Sequence, residues 1–156
     1  MDYSPPSFRR ACSRALLLLT ILVAGCSEPT GVTTDLAVAE ARWAQAAPAV
    51  YEFTLRRACY CSPDAVRPVV IRVQNGQVAS VRYADTGLTP PAVSGASYPT
   101  IDGLFAVIEN ATRAPAADIQ AHFDPDFGFP QSIYIDYYAN AVDDELGLYV
   151  TGFRAL

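Results

Sequence analysis

The chain has no lysine, a single histidine (His122) and a single tryptophan (Trp43) in 156 residues. None of its apolar runs is long enough to cross a bilayer. Each of these lacks removes a class of function. Positive charge comes only from 11 arginines, set against 16 acids for a net of −5. No basic face is expected of the kind that phosphate backbones demand, so no nucleic-acid partner is expected. Nor is there a polybasic stretch to hold anionic lipid. One histidine starves any Ser-His-Asp or Cys-His hydrolase. A zinc site needs three or four ligands, and His122, a lone histidine beside a turn, is far more often structural or solvated than a partner for Cys59 and Cys61. The sequence therefore assigns no catalytic residue, no metal and no cofactor.

What is present begins at the N-terminus. Arg9, Arg10 and Arg14 precede the run ALLLLTILVA, Ala15 to Ala24, which ends in Gly25-Cys26. A basic region, a short apolar core and small residues make a secretory signal peptide. Its core is well short of the roughly 20 apolar residues that span a bilayer. Val23-Ala24-Gly25-Cys26 resembles the lipobox of bacterial lipoproteins, which implies cleavage before Cys26 and a diacylglyceryl group on its sulfur. Each buried methylene contributes about 0.8 kcal/mol, so stable anchoring takes two or more chains. The expected organisation is a lipoprotein signal peptide over 1–25, the lipidated Cys26 with a flexible tether over 26–34 (SEPTGVTT after the cysteine), and one globular domain over 35–156. Three arginines and one acid leave with the signal, so the remaining 8 arginines and 15 acids carry a charge of −7. The membrane is then held through the lipid on Cys26. The predicted location is the bacterial cell envelope, facing the periplasm or the exterior.

Within the domain, Thr34 or Asp35 can cap a helix to about Ala47, with Leu36, Ala39 and Trp43 on one face and Pro48 beyond its end. Val50 to Ala58 alternates: Tyr51, Phe53 and Leu55 share one face, and Glu52, Thr54 and Arg56 the other. Kept parity puts Cys59 and Cys61 on the apolar face before Pro63 stops the strand. RPVVIRVQNGQVASVRY reads as a hairpin turning at Asn75-Gly76. A two-residue loop would set Ile71 against Ser80, whereas a three-residue loop, Gln74-Asn75-Gly76, sets Ile71 against Ala79 and Val69 against Val81. The second gathers the apolar residues on one face, so it is the expected register. After the loop Leu88–Pro99, Thr100 caps a helix to about Ala111, whose Ile101, Leu104, Phe105 and Ile108 follow helical spacing. Strands are expected near Asp118–Phe123, Gln131–Tyr138 and Leu146–Phe153, the first two joined by the turn DPDFGFP. The fold class is α+β: two helices packed on a mostly antiparallel sheet of about six strands. The order suggests two helix-plus-three-strand repeats.

Several of these residues together carry a resemblance. They are Trp43, Tyr51-x-Phe53, Cys59-Tyr60-Cys61 and Val73-x-Asn75-Gly76-x-Val78 in the first half. In the second half they are Thr100-Ile101-Asp102-x-Leu104-Phe105, Phe123-Asp124-Pro125-x-x-Gly128-Phe129-Pro130, Ile133-x-Ile135-Asp136 and Asp143-Asp144-Glu145. Over about residues 40–154 the chain is similar to a bacterial family known as domain of unknown function 6174, often found on secreted lipoproteins. The resemblance implies the domain limits and the envelope location. It implies no catalytic role.

Signal cleavage removes Cys12 and lipidation consumes Cys26, which leaves Cys59 and Cys61 with each other in a compartment where disulfides persist. Residues i and i+2 of a strand lie about 6.6 Å apart, the upper edge of the 4.4–6.8 Å that a disulfide spans between α-carbons. A local bridge, favoured by a bend before Pro63, stands beside free thiols, a redox pair and half of a metal site. Asp124-x-Asp126-x-Gly128 echoes a calcium loop, and Asp136, Asp143, Asp144 and Glu145 add carboxylates. Neither stretch completes an EF-hand, and turn formation is the simpler role. Tyr60, Tyr134, Tyr138 and Tyr149 are half-exposed strand residues or a binding surface. The function expected from all this is a non-enzymatic interaction or structural module with a protein or cell-wall partner. The alternative is a thiol-disulfide redox or metal-binding protein using Cys59 and Cys61.

Overall fold

The computed structural model describes residues 31–91, 98–114 and 116–156 besides Met1, with side chains described from residue 35 onward. The signal segment, Cys26 and the first part of the tether lie outside the described residues. Helix α1 spans Gly31–Ala46, β1 Val50–Ala58, α2 Pro63–Val66, β2 Val69–Gln74, β3 Gln77–Tyr83, α3 Ile101–Arg113, β4 Asp118–Phe123, β5 Pro130–Asp136 and β6 Leu146–Ala155. Helix α1 starts one turn earlier than its expected cap, so the end of the expected tether is helical. Boundaries of this kind depend on backbone hydrogen bonds that apolar spacing does not report.

The six strands form one sheet in the order β3-β2-β1-β6-β5-β4, and every neighbouring pair is antiparallel. The helix-then-three-strands order occurs twice, interrupted by the single-turn α2. Alternating directions make β4 run opposite to β1, so what repeats is the element order and not its orientation. Alternation decides which face is covered. Tyr51, Phe53, Leu55, Val69, Ile71, Val73, Ile133, Ile135, Leu148 and Val150 point to one side. There they join Leu36, Ala39 and Trp43 of α1 and Ile101, Leu104, Phe105 and Ile108 of α3 in a single core. The N-cap of α3 is the expected Thr100, whose Oγ1 accepts from the Gly103 amide at 3.1 Å.

The β2–β3 hairpin differs from the expected register. Gln74 pairs with Gln77 and Val73 with Val78, so the loop has two residues, Asn75 at φ 50° and Gly76 at φ 73°. Positive φ at both positions is the turn whose twist suits a hairpin. A bulge then leaves Ala79 unpaired, and Ile71 falls opposite Val81 and Val69 opposite Tyr83. The bulge restores the apolar parity that a plain two-residue loop would have lost.

Trp43 is a core anchor. It meets the rings of Tyr51, Phe153 and Phe129 edge-on, at 5.3, 5.9 and 6.4 Å between centroids. Its indole N–H donates to Asp102 Oδ1 at 3.1 Å and so ties α1 to α3.

Candidate functional site

At the C-terminal end of β1 the chain leaves the sheet through Cys59-Tyr60-Cys61. The Cys61 amide donates to the Cys59 carbonyl at 2.8 Å, a three-residue turn of the kind that closes a strand end. That bend brings the two α-carbons to 5.3 Å and the two sulfurs to 2.05 Å, disulfide-bonding distance. An ideal strand would have held the α-carbons farther apart. Cys59 is half-buried and Cys61 is exposed.

Both cysteines stand on the wall of a cleft of about 1030 Å³. Five separate segments build it: the end of β1 with Arg57, the Cys59–Ser62 bend, Ala65 of α2, the α3 side with Pro99, Gly103 and Val107, and the stretch from Tyr137 to Leu148. Its floor is apolar (Ala65, Pro99, Val107, Leu146, Leu148), and its charged lining residues are the half-buried Arg57 and Asp144 and the exposed Asp143 and Glu145. A few polar groups around an apolar floor is the usual composition of a ligand pocket, and the volume is of that class. Burial pushes the Arg57 guanidinium pKa down, and the nearby Tyr98 partly offsets this. Tyr60, which lines the cleft, is 83% exposed.

The acids separate into two groups. Asp124 and Asp126 lie in the β4–β5 turn, where Asp124 Oδ1 accepts from the amides of Asp126 (3.0 Å) and Phe127 (2.7 Å) and Oδ2 from Gln131 Nε2 (3.0 Å). Its carboxylate is occupied in shaping the turn. Asp136, Asp143, Asp144 and Glu145 lie at the other end of β5, about 20 Å away at 3.3 Å per residue, so the two groups share no ion. Asp136 Oδ1 and Asp144 Oδ2 both accept from the Tyr138 amide, at 3.2 and 2.7 Å, and Asp143 adopts the left-handed conformation at φ 69°. Among the described residues no three or more His, Cys, Asp or Glu side chains are grouped to hold a metal ion.

Tyr60 lines the cleft and also, with Tyr134, Tyr149 and Cys59, a neighbouring depression of about 380 Å³. Tyr134 and Tyr149 lie on the helix-free face of the sheet, where the Arg56 guanidinium stacks over the Tyr149 ring at 4.2 Å. His122 lines a separate depression of about 520 Å³ on that face with Asp118, Gln120 and Ser132, and does not reach the cysteines. Among the described residues no helix is long and apolar enough to cross a membrane.

Sequence reasoning singled out the cysteines and the 143–145 acids without seeing that they face each other. It missed Arg57, Val107 and Leu148 as cleft residues. The only signal for Arg57 was its place on the apolar face of β1, in the Tyr51, Phe53, Leu55 alternation.

The model of a family of unknown function, DUF6174, matches residues 35–155. No curated protein and no solved structure matches the chain.

Proposed function

The chain belongs to the family of unknown function DUF6174, and on that premise we propose that it is a lipid-anchored protein of the bacterial cell envelope whose domain is a non-enzymatic binding module. The observation that carries the binding role is the cleft: its lining combines apolar Ala65, Pro99, Val107, Leu146 and Leu148 with Arg57 and the 143–145 acids, and Tyr60 on its wall is exposed. Apolar residues gathered at one place on a surface mark an interaction site more often than singly scattered ones do. The anchor rests on the lipobox-like Val23-Ala24-Gly25-Cys26, and it would leave the domain to meet a protein or cell-wall partner at the membrane surface.

Two experiments test the two halves of this reading. Cys26→Ala is expected to move the protein from the membrane fraction to the soluble one; a variant that still sediments with membranes removes the anchor. For the cleft, a photocrosslinking residue at Tyr60 is compared in cells with one at Arg72, on the opposite face of the sheet. Discrete adducts at Tyr60 only, lost when Val107→Trp fills the floor, are the expected result. The same adducts from both positions would remove the cleft as the binding site.

A further inference from the structure

We propose that the cleft captures its partner through a reversible disulfide, and that the partner is a polypeptide segment carrying a free cysteine among apolar and basic residues. This rests on the reading of the cleft as a binding site and names the chemistry of its occupant.

Three observations converge on it. First, both cysteines line the cleft and they are unequally buried: the residue Cys61 is exposed and Cys59 half-buried. Exchange requires a thiolate to reach one sulfur of the pair, and access selects Cys61.

Second, the bridge can open without loss of the fold. It spans a sequence separation of two, and closing so short a loop removes little entropy from the unfolded chain, so it adds little stability. The strand beside it is held independently, since β1 pairs with β6 as far as Ala58 and Gly147.

Third, the walls specify the partner. The floor offers Ala65, Val107, Leu146 and Leu148 to apolar side chains, and the lining presents two exposed acids, Asp143 and Glu145, beside the half-buried Arg57 and an Asp144 whose Oδ2 already takes the Tyr138 amide. That balance favours a basic segment over an acidic one.

The chemistry balances without an added oxidant. The partner thiolate forms a bond to Sγ of Cys61, the Cys59–Cys61 bond breaks, and its electron pair leaves on Sγ of Cys59, which takes a proton from water. Arg57, two residues away on the same wall, lowers the cost of the departing thiolate. One disulfide is consumed and one is made. In the reverse step Cys59 attacks Cys61 and expels the partner as a thiolate. Because Cys59 stays next to Cys61, that return is always close at hand. The adduct therefore lasts only when the cleft also holds the partner non-covalently, which raises its effective concentration.

The test uses the oxidised mature chain in detergent, lacking Cys12 and with Cys26 lipidated, and a short peptide with one cysteine among leucines and lysines, with glutathione as a small acidic thiol for comparison. At equal thiol concentration, intact-mass analysis is expected to show at least tenfold more peptide adduct than glutathione adduct, mapped to Cys61. Glutamate in place of the peptide's lysines should bring the yield down to the glutathione level. Val107→Trp should do the same while leaving the glutathione yield unchanged. Glu145→Lys, on an exposed loop, is expected to lower the yield from the lysine peptide without touching the floor. Adduct on Cys59, equal yields from the two thiols, or no adduct at all would overturn the proposal. A serine version of the peptide separates the two readings by fluorescence anisotropy. Binding without exchange leaves the cleft as a binding site and removes the disulfide capture; neither binding nor exchange removes both.

Discussion

Gly128 sits where the β4–β5 turn runs under α1. Its φ is +85°, and a β-carbon there would press into the Ala39 carbonyl and come within 3.0 Å of Arg42 Cβ. The left-handed conformation and the lost space act together, so Gly128→Ala is expected to cost about 2–4 kcal/mol, read as a lower urea midpoint at unchanged slope. The next residue-scale prediction concerns Glu40. Its pKa is raised, first by burial and then by the nearby carboxylate of Glu109, with which it also shares a hydrogen bond. A carboxyl whose folded pKa lies above its unfolded value favours the fold when protonated. That contribution is fully present below the ordinary value of 4.5 and is lost as pH rises through the raised one. Glu40→Gln is therefore expected to melt higher than the parent at pH 7, with the gain vanishing below pH 4.5; an equal gain at both pH values would refute the assignment. Tyr51 shows the opposite kind of residue, one that a buried donor needs. Its hydroxyl accepts from the Ile101 amide at 3.3 Å, and burial lifts its pKa to about 12. Tyr51→Phe leaves that amide unpaired in the core and should cost about 1–3 kcal/mol, measurable by denaturant unfolding.

At the scale of elements, legibility tracked periodicity. The alternation of Val50–Ala58 and the spacing of Ile101, Leu104, Phe105 and Ile108 carry their own address, and both elements form where the pattern places them. The short α2 at Pro63–Val66 was not legible, because one turn of PDAV has no period to read. The β2–β3 register was half legible: the need for one apolar face was apparent, but a bulge at Ala79 meets that need as well as a longer loop does. Glu52 was read as an outward residue on the polar face, and it does point that way. It is nonetheless only 8% exposed, because Arg154 from β6 and Arg82 from β3 close over it, at 2.6 and 3.8 Å. Those partners lie 102 and 30 positions away in the chain, so only sheet pairing brings them together. The start of α3 offers the element-scale prediction. Thr100→Ala removes the side-chain acceptor of the Gly103 amide and should cost about 1 kcal/mol, with little change expected from Thr100→Ser.

For the whole molecule, the sheet places the end of β1, the β5–β6 loop and α3 around one cleft, with both long helices on the same side. This arrangement fixes what reduction should do. Breaking the Cys59–Cys61 contact opens only the cleft wall, so reduced protein is expected to keep its circular dichroism spectrum and to lose about 1.6 kcal/mol of stability. Global unfolding on reduction would show that the bridge holds the sheet together.

The sequence by itself determined the strand and helix faces and the core anchor Trp43, and it marked Cys59 and Cys61 as close enough to pair. These follow from local composition and from spacing within a single element. Only the tertiary structure decided that a three-residue turn brings those cysteines to bonding distance, that Asp124 is spent on its own turn, and that Arg57, Val107 and the 143–145 acids face the same cleft. The physical reason is that a cleft wall is an arrangement of side chains from five segments. Its shape depends on sheet order and helix placement, neither of which leaves a periodic trace in the chain.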